Sequence, residues 1–260
     1  MKFTYRINKK NEQINPLIEK LKENFEYDNK KPEYVFVFGG DGTMLKTVHE
    51  FEKEIDDLTF IGINFGSLGF YTDFTVDTFD NLITMIKTNN YEIINLPLIE
   101  YKVSSNDKKI KPLAGLALNE VTIISPIKTM VMDVYLNNNK FESFRGTGLA
   151  VSTPSGSTAY NKSLGGSIID INLKAMQLTE IASINNRIYK TIGSSIILNE
   201  QSTITLAPQK YFNMIMTMDN ESKHIEPFSK LEIKLSSKNV KLLASKNHSF
   251  FNRVKDAFLG

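Results

Sequence analysis

Apolar residues recur along this chain at two different spacings, and the change falls near Leu96-Pro97. In the first third, Lys2–Asn8 has the character of a short strand. Ile14, Leu17, Ile18, Leu21 and Phe25 then follow at helical spacing. Tyr34-Val35-Phe36-Val37-Phe38 is an unbroken apolar run, the pattern of a strand covered on both faces of a parallel sheet. A helix over Thr43 to Glu54, a strand over Phe60 to Asn64 and a helix marked by Leu82, Ile83 and Ile86 continue the alternation. The order βαβαβα predicts an α/β unit.

Past Pro97, short β-type runs come at close intervals: Leu98–Val103, Ala114–Ile124, Met130–Leu136, Gly148–Ser152, Ile192–Leu198, Ile204–Leu206, Met214–Met218, Leu231–Leu235 and Val240–Leu243. Lys128 to Ser143 reads as a hairpin around the turn Asn137-Asn138-Asn139. This spacing predicts an antiparallel, sandwich-like domain. One helical island interrupts it, Leu173 to about Asn185, with Ala175, Leu178, Ile181 and Ala182 on one face. At the end, Phe250, Phe251, Val254 and Phe258 form a helical apolar stripe. The predicted organisation is an α/β N-terminal domain over 1–97 and a β-rich domain over 98–246. A C-terminal helix over 247–260 packs back on the first domain.

Composition narrows the function classes. With 31 Lys and Arg against 29 Asp and Glu the net charge is +2, too balanced to call for a nucleic acid or a membrane as partner. The chain has no Cys, which removes disulfides, thiolate metal sites and a thiol nucleophile. The N-terminus lacks the apolar core of a signal peptide, and no window approaches the ~18 apolar residues of a membrane span, so a cytoplasmic location is expected.

Three stretches carry candidate chemistry. Phe38-Gly39-Gly40-Asp41-Gly42-Thr43 follows the buried strand and opens a helix. Glycines there allow a tight turn and close approach to an anion, and a helix N-terminus favours phosphate. Asp41 then stands at the carboxyl end of a parallel strand, where open α/β sheets bind ligands, placed to take a proton or help hold a divalent cation. The structural alternative is a turn with Asp41 as helix cap. The dinucleotide fingerprint fails because Leu45 occupies its third small position, and Lys162-Ser163 lacks the preceding Gly of a phosphate-binding P-loop. The second stretch, Phe144 to Ser163, ends a β run in a loop dense in hydroxyls and backbone donors, suited to a pyrophosphate and a purine, or simply a surface turn. In the third, Asn119 and Glu120 interrupt an apolar run, and an adjacent amide and carboxylate can bind two ribose hydroxyls.

In this order, Gly-Gly-Asp-Gly-Thr, Asn-Glu and Ser-Thr-Pro-Ser-Gly-Ser-Thr-Ala-Tyr resemble the NAD kinase family, in particular the ATP-NAD kinases of Gram-positive bacteria. Ile61–Phe74 and Ala182-Ser183-Ile184-Asn185-Asn186-Arg187 extend the resemblance from about Pro32 to Gly193. It implies a phosphotransferase with an alcohol acceptor that uses ATP or a related donor with Mg²⁺ to convert NAD to NADP, in a self-associated protein, a homotetramer or homodimer. By the same resemblance Asp41 is the base acting on the adenosine 2′-hydroxyl, and Gly42 lies beside the substrate. Asn119 and Glu120 are the ribose pair, and Phe70, Thr158 and Ala159 surround the adenine. Ser155, Tyr160, Ser163 and Ala182 lie around the phosphates and the nicotinamide end, and Arg145 is a further ligand-side position. Thr147 departs from the family's Asp in an Arg-Gly-Asp-Gly context, and Asn220 from its His. The competing readings are a dinucleotide-binding sensor without turnover, motivated by Thr147, and a kinase of the same loop type acting on a lipid or sugar.

Other features are set aside. His49, His224 and His248 have no metal-ligand spacing, and Ser155-Gly156-Ser157 is not a nucleophile elbow. Lys9-Lys10 and Lys30-Lys31 read as solvated surface, and Phe250 and Phe251 as core contacts.

Overall fold

The computed structural model describes residues 1–8, 13–66, 69–246 and 249–260. Lys9-Lys10, Ser67-Leu68, His248 and the start of the expected C-terminal helix at 247 lie outside the described residues. The chain divides into two compact units, Met1–Leu96 with Lys238–Gly260, and Pro97–Ser237.

The first unit runs β1 (Lys2–Ile7), α1 (Ile14–Asn24), β2 (Glu26–Tyr27), β3 (Tyr34–Phe38), α2 (Asp41–Glu50), β4 (Thr59–Asn64), β5 (Phe74–Thr75) and α3 (Phe79–Lys87). β2, β1, β3 and β4 pair in that order, all parallel, and β5 adds to β4 in parallel. Side chains alternate across each strand. Phe36 and Phe38 therefore join a core with Ile14, Ile18 and Leu21 of α1 and Phe79, Leu82 and Ile83 of α3. Val35 and Val37, equally buried, point to the opposite face. The unbroken apolar run of β3 reflects burial on both sides. α2 begins at Asp41, two residues earlier than its apolar pattern, because Gly40 starts the helix with an extended backbone.

The second unit contains β6 (Glu92–Ser104, from Pro97 onward), β7 (Leu113–Ala117), β8 (Glu120–Ile124), β9 (Met130–Leu136), β10 (Asn139–Gly146), β11 (Gly148–Ser152), the single-turn α4 (Tyr160–Ser163), β12 (Ala175–Ile181), β13 (Ile196–Asn199), β14 (Thr203–Pro208), β15 (Met214–Met218), β16 (Glu221–Ile225) and the first half of β17 (Lys230–Ala244). Six strands pair antiparallel in the order β13-β12-β11-β8-β15-β16. The run β10-β9-β14-β17 is antiparallel as well. One apolar cluster joins the two sheets: Met132, Val134, Ile204 and Ile233 from one, Ile123, Val151, Leu178 and Met216 from the other. The sandwich expected from the strand spacing is present. The β9–β10 hairpin turns at Asn137 and Asn138, with φ of 51° and 65°, a conformation that Asn tolerates.

Several boundaries differ from expectation. The helical island is in fact β12, an interior strand between β11 and β13. Met176 and Leu178 face the sandwich core, while Gln177 and Thr179 bond to Ser167 and Asn161 beneath a covering loop. Both faces are buried, so no polar alternation survives to distinguish strand from helix. The run Ala114–Ile124 is split into β7 and β8, whereas Leu231–Leu235 and Val240–Leu243 fuse into β17. The second half of β17 belongs to the first unit and pairs with β4. It leads to α5 (Phe250–Phe258), capped by the Ser249 hydroxyl. Among the described residues no helix is long and apolar enough to cross a membrane.

Candidate active site

In the first unit, β3 delivers the chain into the glycine turn. Gly39 has φ of 154°, and a Cβ there would fall 2.3 Å from the Thr43 hydroxyl, so the turn needs a glycine. Gly42 is different: a Cβ on it meets nothing within 4 Å, so packing places no demand for glycine there. Asp41 does not cap α2 with its side chain. Its carboxylate instead accepts the backbone amides of Phe70 and Tyr71, each at 2.9 Å. Gly69 makes this approach possible, because a Cβ there would lie 2.3 Å from Asp41 Oδ1. Each carboxylate oxygen spends one acceptor site on an amide and keeps another. The Thr43 hydroxyl, packed against Gly39, is buried without a hydrogen-bond partner. Phe70 serves Asp41 through its backbone, and its ring packs between Phe250 and Phe258 of α5, at centroid distances of 6.2 and 6.0 Å.

In the second unit, Asp219 organises the Asn119-Glu120 pair. Its carboxylate accepts the amides of Leu118 (2.8 Å), Asn119 (2.6 Å) and Glu120 (3.1 Å). This capture splits β7 from β8. Asp219 itself adopts φ of 51° in the turn after β15. Glu120 is 6% exposed, and its Oε2 is buried with no partner. Burial, with the Asp219 charge as the smaller cause, pushes its carboxyl up to about 8.

The hydroxyl-rich loop folds onto the same pair. Thr153 donates to the Leu118 carbonyl (2.6 Å), and its amide bonds the Asn119 carbonyl. The Ser155 hydroxyl also donates to Leu118 (3.1 Å). A Cβ on Gly156 would fall 2.0 Å from the Asn119 carbonyl oxygen, so only glycine fits. Thr158 is buried, Ala159 half-buried and Tyr160 exposed. Ser163 donates back to the Tyr160 carbonyl. The loop is thus a packed scaffold, which the plain surface-turn reading does not describe.

Arg145, Thr147 and Ala182 gather at the other end of these strands. Thr147 donates its amide to Ile181 and accepts from Ser125. Its side chain is exposed. Ala182 has φ of 46°, and the Arg145 guanidinium lies 4.1 Å from the Tyr189 ring centroid. The two groups of residues are separated by the length of β8, about 13 Å at strand rise. Beside the second group, burial pushes the Glu142 carboxyl up to about 7. The Ile192 amide opposes the shift and the neighbouring Glu180 reinforces it.

Sequence reasoning missed Asn161 and Gln177. Asn161 is fully buried, accepts from Thr179 and donates to the Ser157 and Ser167 carbonyls, while Gln177 pairs with Ser167 through both its amide atoms. A buried amide inside a polar loop has no periodic signature. Asp219 has no sequence signal of its own beyond standing before Asn220.

The family model for the ATP-NAD kinase N-terminal domain matches residues 2–91, and that for the ATP-NAD kinase C-terminal domain matches 118–245. This chain belongs to the ATP-NAD kinase family. The NAD kinase of Streptococcus gordonii is 42% identical over 246 residues, covering 94% of this chain and 89% of that protein. The NAD kinase of Streptococcus pyogenes serotype M1 is 42% identical over 237 residues, with 91% and 84% covered. Two crystal structures share the fold. Yeast NADH kinase complexed with NADH has a TM-score of 0.85 at 17% identity, over all of this chain and 87% of that one. An NAD kinase from Archaeoglobus fulgidus in complex with ATP has a TM-score of 0.76 at 21% identity, over 98% of both. The N-terminal match lies within the first unit, and the C-terminal match lies in the second unit and runs on into residues 238–245 of the first.

Proposed function

We propose that the chain is a phosphotransferase that moves the γ-phosphoryl group of ATP onto the 2′-hydroxyl of the adenosine ribose of NAD, giving NADP. The observation that carries this reading is Asp41, a carboxylate at the end of a parallel strand. Two amides orient it, acceptor sites remain on it, and it stands beside a glycine around which the fold leaves space. The family's NAD kinases from Streptococcus and the ATP complex of the Archaeoglobus neighbour support the acceptor and the donor.

In the step assigned here, the 2′-oxygen forms a bond to the γ-phosphorus, the bond from that phosphorus to the bridging oxygen breaks, and ADP leaves. Asp41 takes the hydroxyl proton. General-base help of this kind is worth about 10²–10⁴-fold. The amides opening α2 face the phosphates, where helix N-termini favour negative charge. Asn119 and Glu120 hold the ribose. The unpartnered, buried Oε2 of Glu120 needs a donor, and a ribose hydroxyl supplies one. Ser155, Thr158, Ala159, Tyr160 and Ser163 form the loop side of the nucleotide site, with Gly42 and Phe70 beside the substrate. Arg145, Thr147 and Ala182 serve the nicotinamide end.

Among the described residues no three His, Cys, Asp or Glu side chains are gathered to hold a metal by themselves. Magnesium commonly takes one or two carboxylates and completes its shell with substrate phosphates and water. The free acceptor sites of Asp41 fit that arrangement, and the ion would neutralise charge on the transferred phosphate. Cytoplasmic location and assembly as a homotetramer or homodimer complete the proposal, on the resemblance to the family.

The test incubates purified protein with ATP, Mg²⁺ and NAD and couples NADP to an NADP-specific dehydrogenase. Steady NADP formation is expected. NAD binding without product would favour a sensor, and phosphate transfer to a lipid or sugar in its place would favour the other kinase reading.

A further inference from the structure

The geometry points to Arg253 of α5 as a positioning residue for Asp41, acting across the Gly69–Phe70 peptide group. This inference rests on Asp41 being the base. The Gly69 carbonyl and the Phe70 N–H belong to one planar unit, so fixing one end aims the other. The Phe70 N–H donates to Asp41 Oδ2. On the opposite side of the same peptide, the Gly69 oxygen accepts from Arg253 Nη1. That nitrogen also donates to the Thr72 carbonyl at 2.6 Å, and Nη2 bonds the Asp73 carboxylate. Arg253 therefore clasps the segment on both sides of Phe70 and Tyr71, the two residues whose amides orient Asp41.

The clasp is built and buried. The side chains of Arg253 and Asp73 are 14% and 8% exposed. Asp73 is fixed in turn by the Ser245 amide at 2.6 Å. Phe70 is held between two rings of the same helix. The chain guanidinium, carbonyl, amide, carboxylate polarises in one direction, and such hydrogen-bond chains strengthen cooperatively. A planar fork is required, since one side chain must reach two carbonyls and a carboxylate. Lysine, a point donor, cannot reproduce it.

The experiment compares R253A, R253K, D41N and D41N/R253A, all as the full chain. R253A is expected to lower kcat by about 10²-fold, the scale of a misplacement of about 1 Å, with KM for NAD within about twofold. Guanidinium added to R253A restores part of kcat. Amide exchange at Phe70 and Tyr71 quickens in R253A, a readout independent of turnover. R253K, which retains the charge beside Asp73, loses about tenfold in kcat and serves as the test variant if R253A does not fold. In the D41N background the Arg253 substitution is expected to cost nothing further, because the group it positions is gone. A folded R253A or R253K with parental kcat overturns the inference, as does a full additional loss in D41N/R253A. D41N turning over at the parental rate sinks the Asp41 assignment itself, so the two failures are told apart.

Discussion

The parent protein should bind NAD with a pH dependence between pH 6 and 9, and replacing Glu120 by Gln should remove it. Glu120 is 6% exposed and sits beside the Asp219 carboxylate, and its own carboxyl is held near 8 in place of the usual 4.5. That difference amounts to about 5 kcal/mol in favour of the neutral acid, most of it from burial. At pH 7 the unliganded protein is therefore expected to hold Glu120 mainly in its protonated form. If ribose hydroxyls donate to its orphaned oxygen, as proposed, they favour the ionised form, and NAD binding is then expected to expel the proton. The Kd for NAD should tighten about tenfold from pH 6 to 7 and about tenfold again from pH 7 to 9, levelling above about 8. Titration calorimetry in two buffers of different ionisation enthalpy should register close to one proton released per NAD at pH 7. E120Q should bind with a flat pH profile and release none. Stability has the opposite pH dependence, because the native state holds a proton that the unfolded chain gives up above its ordinary carboxyl range. Glu120 thus stabilises the unliganded fold least above about pH 8, and E120Q should melt higher there. A parental Kd constant from pH 6 to 9, or the same slope in E120Q, would refute the reasoning.

Three further substitutions probe the remaining parts. Gly156→Ala pushes a Cβ to within 2.0 Å of the Asn119 carbonyl; a loss of about 1–3 kcal/mol in urea unfolding and a weaker Kd for NAD are expected. Asp219→Ala strips three amides at Leu118, Asn119 and Glu120 of their acceptor; it should weaken NAD binding more than tenfold while ATP binding, measured separately, stays within about twofold. Thr147→Asp places a carboxylate on an exposed turn; it should tighten NAD⁺ up to about fivefold and leave NADH unchanged, because an exposed charge contributes at most about 1 kcal/mol and only the oxidised ring is cationic.

The parallel strands and the glycine turn were legible because their signals are local: the apolar run of β3, three glycines around Asp41 and the Asn turn of the β9–β10 hairpin. β12 was misread because its polar face, Gln177 and Thr179, is covered by the loop from Ser157 to Ser167, which erases the alternation that marks a strand. The Asn119-Glu120 pair could be singled out from the order of motifs, but the device that fixes it could not. Asp219 lies about a hundred residues away and acts through backbone amides that leave no trace in residue type. The same holds for Asp41 and Arg253, whose partners are carbonyls and amides of a loop whose sequence specifies only a glycine.

Single-turnover phosphoryl transfer by Asp41→Asn, with NAD and ATP both saturating, tests the central claim most directly. The expected result is an NAD affinity matching the parent and a transfer rate lower by about 10²–10⁴-fold. A transfer rate equal to the parental one would contradict the account.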